Sequence, residues 1–361
     1  MEKIVQLTKD LMRFRSMHSE PAEIKKCVEF IEEYLEKDAI EYWRFDHENI
    51  PSILVMPKSR ITSILLMSHI DVVDAPAELF SPVEKAGKLY GRGSVDDKYA
   101  AALSLVLIKN QLKRLRSNGK GQKDLPFGVL ITGDEEIGGA NGAKKVLNEV
   151  KADFCIALDG GTPDRIVVKE KGVLKLRLVS SGKSAHGARP WLGENAIENL
   201  IEDYLKLRSF FQETSPDHWH RTLNFSIVQS GKSFNQVPET AEALFDIRYT
   251  ETDDVDQLVS QMQSEIKGQL IVEAKEPLFH GGESPYLDLL LDISQNSKVG
   301  FEHGASDARF LSENGIKGIV WGADGEMSQH TTQEHVVIES IYEIYQILNE
   351  FIERASELKR S

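Results

Sequence analysis

Cysteine is nearly missing from this chain: its 361 residues hold only Cys27 and Cys155. Two thiols 128 positions apart in the chain make no disulfide framework, and both are expected as small buried hydrophobes in a reducing compartment. Long apolar runs are missing too, since none approaches the roughly 18 residues of a membrane span. The opening MEKIVQLTKDLMRF places Ile4, Val5, Leu7, Leu11, Met12 and Phe14 along one side of a helix, unlike the core of a signal peptide. A cytoplasmic protein with no membrane partner is the expectation. Positive charge is scarce, with 43 Lys and Arg against 57 Asp and Glu and a net charge of −14, which argues against nucleic acid and anionic lipid as partners. Repeats and low-complexity segments are absent as well. What remains is an ordinary globular composition, 41% hydrophobic and 28% charged, in a length that suits two domains.

The order of elements gives the fold class. After two amphipathic helices, ITSILLMSHIDVV reads as a buried strand bounded by Lys58-Ser59-Arg60 and Asp74-Ala75-Pro76. PFGVLITG and DFCIALD are two more such strands, and DDKYAAALSLVLIKNQLKRL and GAKKVLNEV are helical stretches between the strands. This order predicts an α/β domain with a largely parallel, mixed sheet and helices on both faces, whose ligands bind beyond the carboxyl ends of the strands. From Gly172 the pattern changes to β-α-β-β-α-β: GVLKLRLVSS, NAIENLIEDYLKLRSFF, RTLNFSIVQSG, TAEALFDIRYT, DDVDQLVSQMQSEI and QLIVEAKE. That is the ferredoxin-like split arrangement. The tail returns to the first pattern with KGIVWGA and a helix over residues 336–358. The expected organisation is a catalytic domain of residues 1–171 and 282–361, interrupted by a lid and dimerisation domain of residues 172–281.

Polar residues sit where the strands end. His69 and Asp71 close the first buried strand, Asp134, Glu135 and Glu136 the second, and Asp159 the third. Carboxylates and an imidazole gathered at one sheet edge repel and desolvate one another unless a cation holds them. Oxygen and imidazole donors without cysteine suit zinc, manganese or cobalt. At alternate strand positions His69 and Asp71 lean to the same side, so one can bind metal while the other fixes the imidazole tautomer. A lone His-x-Asp is commonly a surface pair; its position after ILLMS and the surrounding acids favour the metal. In GRGSVDDK, Asp96 or Asp97 fits either a metal ligand or a helix N-cap. Glu135 and Glu136 leave a tight turn towards different targets, one the metal and the other a metal-held water, while Asp134 reads as a plain turn residue. GADGEMSQ lacks the lysine and spacing of a phosphate loop, and HWH at 218–220, with Asp217 as the one acid beside it and no cysteine, reads as a loop or strand edge.

The segments LLMSHIDVV, LYGRGSVDDK, LITGDEEIGG, CIALDGG, GKSAHGARPWLGENAI, HGASDARF and HTTQEHV, in this order over residues 64–336, resemble the dinuclear zinc peptidase family. That family contains succinyl-diaminopimelate desuccinylase, acetylornithine deacetylase, aminoacylase, glutamate carboxypeptidase and several di- and tripeptidases. The resemblance implies two zinc ions, with cobalt or manganese as substitutes. It implies His69, Asp96, Glu136, Asp159 and His330 as metal ligands, with Asp96 bridging both ions. Asp71 would orient His69, and Glu135 would be the general base of a hydroxide held between the ions. His186, from the lid, would reach the substrate carbonyl, across a dimer interface if the lid pairs two copies. Arg309, Asn235 and Arg248 would grip substrate. His335 reads as a surface histidine at a helix start.

The reaction so implied is hydrolysis of an amide in a small amino-acid-derived substrate, either an N-acyl amino acid or a dipeptide. Aspartate at position 159 points to the amino- and dipeptidase branch. The layout of GKSAHGARPWLGENAI and SDARF resembles the desuccinylase and deacetylase branch instead. A catalytically silent metal-binding scaffold and a phosphoesterase are the competing classes, the latter because phosphoesters are also cleaved at metal pairs.

Overall fold

The computed structural model describes residues 1–358. The chain forms two compact units: one contains Met1–Lys169, Phe279–Glu302 and the residues from Ser306 on, the other Glu170–Leu278 with His303–Ala305.

The first unit is built on a nine-stranded sheet. In spatial order its strands are Trp43–His47, Ile50–Val55, Phe127–Thr132, Ile61–His69, Lys151–Ala157, Lys317–Val320, Arg165–Glu170 and Phe279–His280, with Lys298–Glu302 also paired to the 165–170 strand. Four central neighbours run parallel, from 127–132 across to 317–320. The Ile61–His69 strand is buried from Thr62 to His69, as a strand covered on both faces must be. Its Ile64 and Leu66 join one core with Val28, Leu103 and Ile341 of the long helices, while Leu65 and Met67 join a second core with Val146, Leu147 and Phe310. Burying each such Leu or Ile contributes about 1.5–3 kcal/mol relative to leaving it in water. Among the described residues no helix is long and apolar enough to cross a membrane.

The second unit is a four-stranded antiparallel sheet in the order 222–230, 240–249, 172–181, 269–276. Along Gly172–Ser181 the residues Leu174, Leu176 and Leu178 point inward against Leu200, Leu207, Leu258 and Met262 of helices Ala196–Arg208 and Val255–Glu265. Asn195 and Asp254 cap those helices by accepting the amides of Ile197 and Gln257, each at 2.9 Å. Asp203, buried under the sheet, accepts the amides of Lys267 and Gly268 and so holds the entry to the last strand.

Several elements differ from the reading of the sequence. The first buried strand ends at His69, so Asp71 lies in the loop beyond it and not at an alternate strand position. GAKKVLNEV shortens to the helical turn Ala143–Val146 and a 3-10 turn Leu147–Glu149. The last helix begins at Ile338, because Val336 and Val337 belong to a strand His335–Val337 paired with Lys88–Tyr90. His335 is consequently buried in that strand and not on the surface; its Nδ1 faces the Gln333 carbonyl at 2.8 Å. The hairpin Trp43–Val55 went unseen, since its turn residues Glu48 and Asn49, at φ +48° and +65°, lack the usual Asn-Gly signal.

Tyr99, in the first turn of helix Lys98–Ser117, ties that helix to the sheet by donating to the Leu158 carbonyl at 2.6 Å and accepting the Ala323 amide at 2.8 Å. Tyr99→Phe leaves two buried backbone groups unpaired, and denaturant titration is expected to show a loss of about 1–3 kcal/mol. An unchanged midpoint would mean that these groups find other partners.

Candidate metal centre

Strand register brings the first residues together. His69 stands beside Thr132, and Met67 stands beside Ala157, so Asp159, two residues on, is level with His69 at the carboxyl edge of the sheet. The chain leaves the 127–132 strand into the 3-10 turn Glu135–Ile137. Asp134 closes this turn through the amides of Asn141 and Gly142, at 2.8 and 3.0 Å, which is the plain turn role expected for it. Gly139 follows at φ +61°, where an added Cβ would come within 1.9 Å of the Asp307 carboxylate; only glycine passes.

Asp96 and His330 arrive on two segments stitched to each other. The pairing of Lys88–Tyr90 with His335–Val337 continues as the Gly91 amide donates to the Glu334 carbonyl at 2.9 Å, and Arg92 forms a buried ion pair with the Glu334 side chain. Ser328 closes the loop that carries His330 by exchanging hydrogen bonds with the backbone of His335. Asp97 occupies the cap position of helix Lys98–Ser117 without making a side-chain cap bond. Of the two readings left open for this pair, Asp96 is the acid that faces the cluster.

Two triads result, sharing Asp96: His69, Asp96 and Asp159, and Asp96, Glu136 and His330, each able to bring one atom per residue within 4.8 Å of the others. The Nε2 of His69 lies 3.0 Å from Asp96 Oδ1 and 3.7 Å from Asp159 Oδ2; the Nε2 of His330 lies 2.9 Å from Asp96 Oδ2 and 3.3 Å from Glu136 Oε2. The fit to a cation follows from His69. Its Nδ1 faces the main-chain carbonyl of Asp71 at 3.0 Å, and a carbonyl only accepts, so Nδ1 carries the proton of the neutral ring. Nε2 is then a buried lone pair, without a hydrogen-bond partner and aimed at carboxylate oxygens. Nitrogen and oxygen donors arranged in this way fit a pair of divalent cations.

The acids around the triads are held in unequal states. Asp71 is wholly buried, yet the hydrogen bond to His18 and the His69 imidazole close beside it outweigh that burial and hold its carboxyl down at about 2. It also accepts the amides of Glu135 and Glu136, at 3.2 and 3.0 Å, and so anchors the acidic turn. Glu136 is steadied by the Val73 amide at 3.0 Å. Burial, reinforced by the charge of Asp159, pushes the Glu135 carboxyl well above the usual range, which suits a group that must take up and release a proton. His69, Glu135 and Asp159 share a small cavity with Ser306 and Asp307. Burial lifts the Asp307 carboxyl to about 7.

The remaining expected site residues are distributed differently. Arg309 is buried in the first unit, with Nη1 donating to the Ser306 carbonyl at 2.8 Å and its guanidinium over the Phe310 ring. In the second unit, His186 belongs to a short strand Ala185–His186 paired with Gln236–Val237. Its Nδ1 accepts the Ala188 amide at 3.0 Å, which leaves Nε2 as a donor. Asn235 is its neighbour through the Gly187 amide, which donates to the Asn235 carbonyl at 2.7 Å. Arg248 lies near the far end of strand Thr240–Tyr249, roughly 26 Å along it at 3.3 Å per residue, and pairs with Asp246 at 2.7 Å. His18 was missed, because a single histidine in the turn between two helices carries no spacing signal.

This mixed α/β architecture carries its donor cluster at the carboxyl edge of the central strands, where open α/β sheets bind ligands. The chain belongs to peptidase family M20/M25/M40, whose model matches residues 65–354. It is 26% identical to the succinyl-diaminopimelate desuccinylase of Wolbachia pipientis subsp. Culex pipiens, in an alignment covering 96% of this chain and 92% of that one. In fold it is similar to a tripeptidase from Staphylococcus aureus, with a TM-score of 0.79, 20% identity, and 99% and 98% of the two chains covered. A dinuclear metal binding peptidase of the M20 family from Bacillus subtilis gives a TM-score of 0.64 at 16% identity, covering 99% of this chain and 98% of that one.

If Asp96 is the shared ligand, metal-stripped wild-type protein is expected to take up two equivalents of zinc, His330→Ala one, and Asp96→Ala neither tightly. Elemental analysis after dialysis reads this directly. Two tightly held ions in Asp96→Ala would overturn the assignment.

Proposed function

We propose that this enzyme hydrolyses the amide bond of a small amino-acid-derived substrate, an N-acyl amino acid or a dipeptide. The shared triads around Asp96, with the half-buried Glu135 beside them, carry this reading. His69, Asp96 and Asp159 would hold one zinc ion and Asp96, Glu136 and His330 the other, with cobalt or manganese as substitutes. When bound, such a pair lowers the pKa of a water from 15.7 to about 7 and polarises a carbonyl.

The residues of the chain divide the remaining work. Glu135 takes the proton of the attacking water on its carboxylate and returns it to the nitrogen of the leaving amine. Its raised affinity for a proton favours the uptake half of that transfer. Asp71 keeps His69 in the tautomer that leaves Nε2 free of hydrogen. His186, with a donor Nε2, stabilises the oxyanion. Asn235 beside it is the lid residue best supported as a grip on substrate, whereas Arg248 and Arg309 enter that role with their guanidiniums already paired.

The short acid at Asp159 favours a dipeptide, and the relative named a desuccinylase favours an N-acyl amino acid. A panel of dipeptides, N-acetyl and N-succinyl amino acids and phosphoesters separates these and tests the class. Turnover is expected on one of the amides, lost on chelation and regained with zinc. Glu135→Gln should retain metal and lose about 10²- to 10⁴-fold in kcat. Wild-type turnover in that variant, or turnover on phosphoesters alone, would refute the reading.

The second unit is read as a lid that also pairs two copies. Its edge strand Thr222–Ser230 supports this: one side is bonded to strand 240–249, the strand has neither charge nor proline, and Ile227 and Val228 are exposed. Open edges of that kind invite another strand. Sedimentation is expected to give a dimer, with Ile227→Lys shifting it towards monomer. A fully active wild-type monomer would contradict the pairing.

A further inference from the structure

We propose that His18 is a positioning residue of this centre, acting through Asp71 on the aim of His69 and on the turn that carries Glu135 and Glu136. The inference rests on the metal reading of the site given above.

His18 lies in the turn between helices Glu2–Met12 and Pro21–Glu36. That turn is laced to the loop that leaves His69. Ser16 donates its hydroxyl to the Ile70 carbonyl at 2.5 Å and accepts the Val72 amide at 3.0 Å on its own carbonyl. Ser19 donates to Asp74 at 2.7 Å, and the Ala75 amide points at the Met17 sulfur at 3.3 Å. Held on both sides in this way, His18 places Nε2 3.0 Å from Asp71 Oδ2, with its side chain 21% exposed and the aspartate wholly buried.

The two oxygens of Asp71 are then matched. Oδ1 receives the Glu135 amide and stands 3.5 Å from His69 Nδ1; Oδ2 receives the Glu136 amide and His18. A buried carboxylate needs its lone pairs filled, because an unfilled one costs much of its desolvation. Without His18, Oδ2 keeps the Glu136 amide alone, and the carboxylate gains by rotating. Rotation moves it relative to the amides of both glutamates and changes its 3.5 Å approach to the His69 ring, whose Nδ1–H is otherwise held by the Asp71 main-chain carbonyl. One imidazole outside the donor cluster thus bears on a proposed ligand of each ion and on the proposed base.

The test uses the full chain and zinc alone as probe, measured on metal-stripped protein by competition with a chromophoric chelator, alongside kcat and KM on the best amide substrate. His18→Leu keeps bulk and removes the donor; His18→Gln keeps an amide N–H near the position of Nε2. Partners of ligand histidines typically change metal affinity by 10- to 100-fold, and His18→Leu is expected at the lower end, about tenfold weaker, with kcat reduced and KM little changed. His18→Gln should recover most of both losses. If His18→Leu does not fold, His18→Asn, whose amide stops short of Asp71, replaces it in the comparison. Zinc affinity and kcat like wild type in the donor-free variant would overturn the proposal, as would a Gln variant as impaired as the one without a donor. Wild-type protein that takes up no zinc would instead overturn the reading of the site itself.

Discussion

Imidazole and carboxylate lone pairs facing one another inside a protein repel and have lost their water, so they stay together only around a positive charge. In this chain that situation centres on Asp96, whose two oxygens are approached by His69 from one side and His330 from the other. The surrounding structure reads as the means of holding that contact in place. Parallel strands set His69 and Asp159 at one level, the acidic turn supplies Glu136, and two paired segments bring Asp96 to His330. Each of these comes from a different part of the chain: strand pairing fixes the first, the Asp71 and Asp134 carboxylates hold the acidic turn, and the Ser328 hydroxyl closes the His330 loop.

The supports extend outward in layers. Asp71 links His69 to the Glu135–Glu136 turn, and the turn holding His18 reaches Asp71 from the N-terminal helices. Tyr99 and the Arg92–Glu334 pair tie the Asp96 loop to the sheet and to the His330 loop. Membership of the M20/M25/M40 peptidases makes the chain a hydrolytic enzyme, and Asp71 and Glu135 are held in unequal protonation environments within one site. The second unit has its own hydrophobic core and its own sheet, so its His186 is positioned by local pairing with the 236–237 strand.

Much of this architecture was legible in advance. The central strands announce themselves as apolar runs of the right length, and the split β-α-β-β-α-β unit by its alternation, because burial on one or two faces writes directly into residue order. Other elements left no such mark. The Lys88–Tyr90 and His335–Val337 strands are three residues each, too short for a period, and pair across nearly the whole chain. The Glu48-Asn49 turn puts the left-handed-tolerant Asn second and a Glu first, without the Asn-Gly pair that marks a tight hairpin, so the sequence does not announce the hairpin around it. Ile70 and Val72 continue the apolar pattern and so extend the expected strand past Asp71, although the strand itself ends at His69.

By itself, the sequence determined the fold class, the two-part organisation of its patterns and the kinds of donor at the strand ends, since hydrophobic periodicity and strand termini are local properties. Which donors meet was decided only by tertiary structure. The approach of His69 and His330 to the two oxygens of Asp96, the partnership of His18 with Asp71, the burial of Arg309 and the pairing of Arg248 with Asp246 all depend on register and loop path. Those are set by pairing between segments distant in the chain, and no window of residue types contains them.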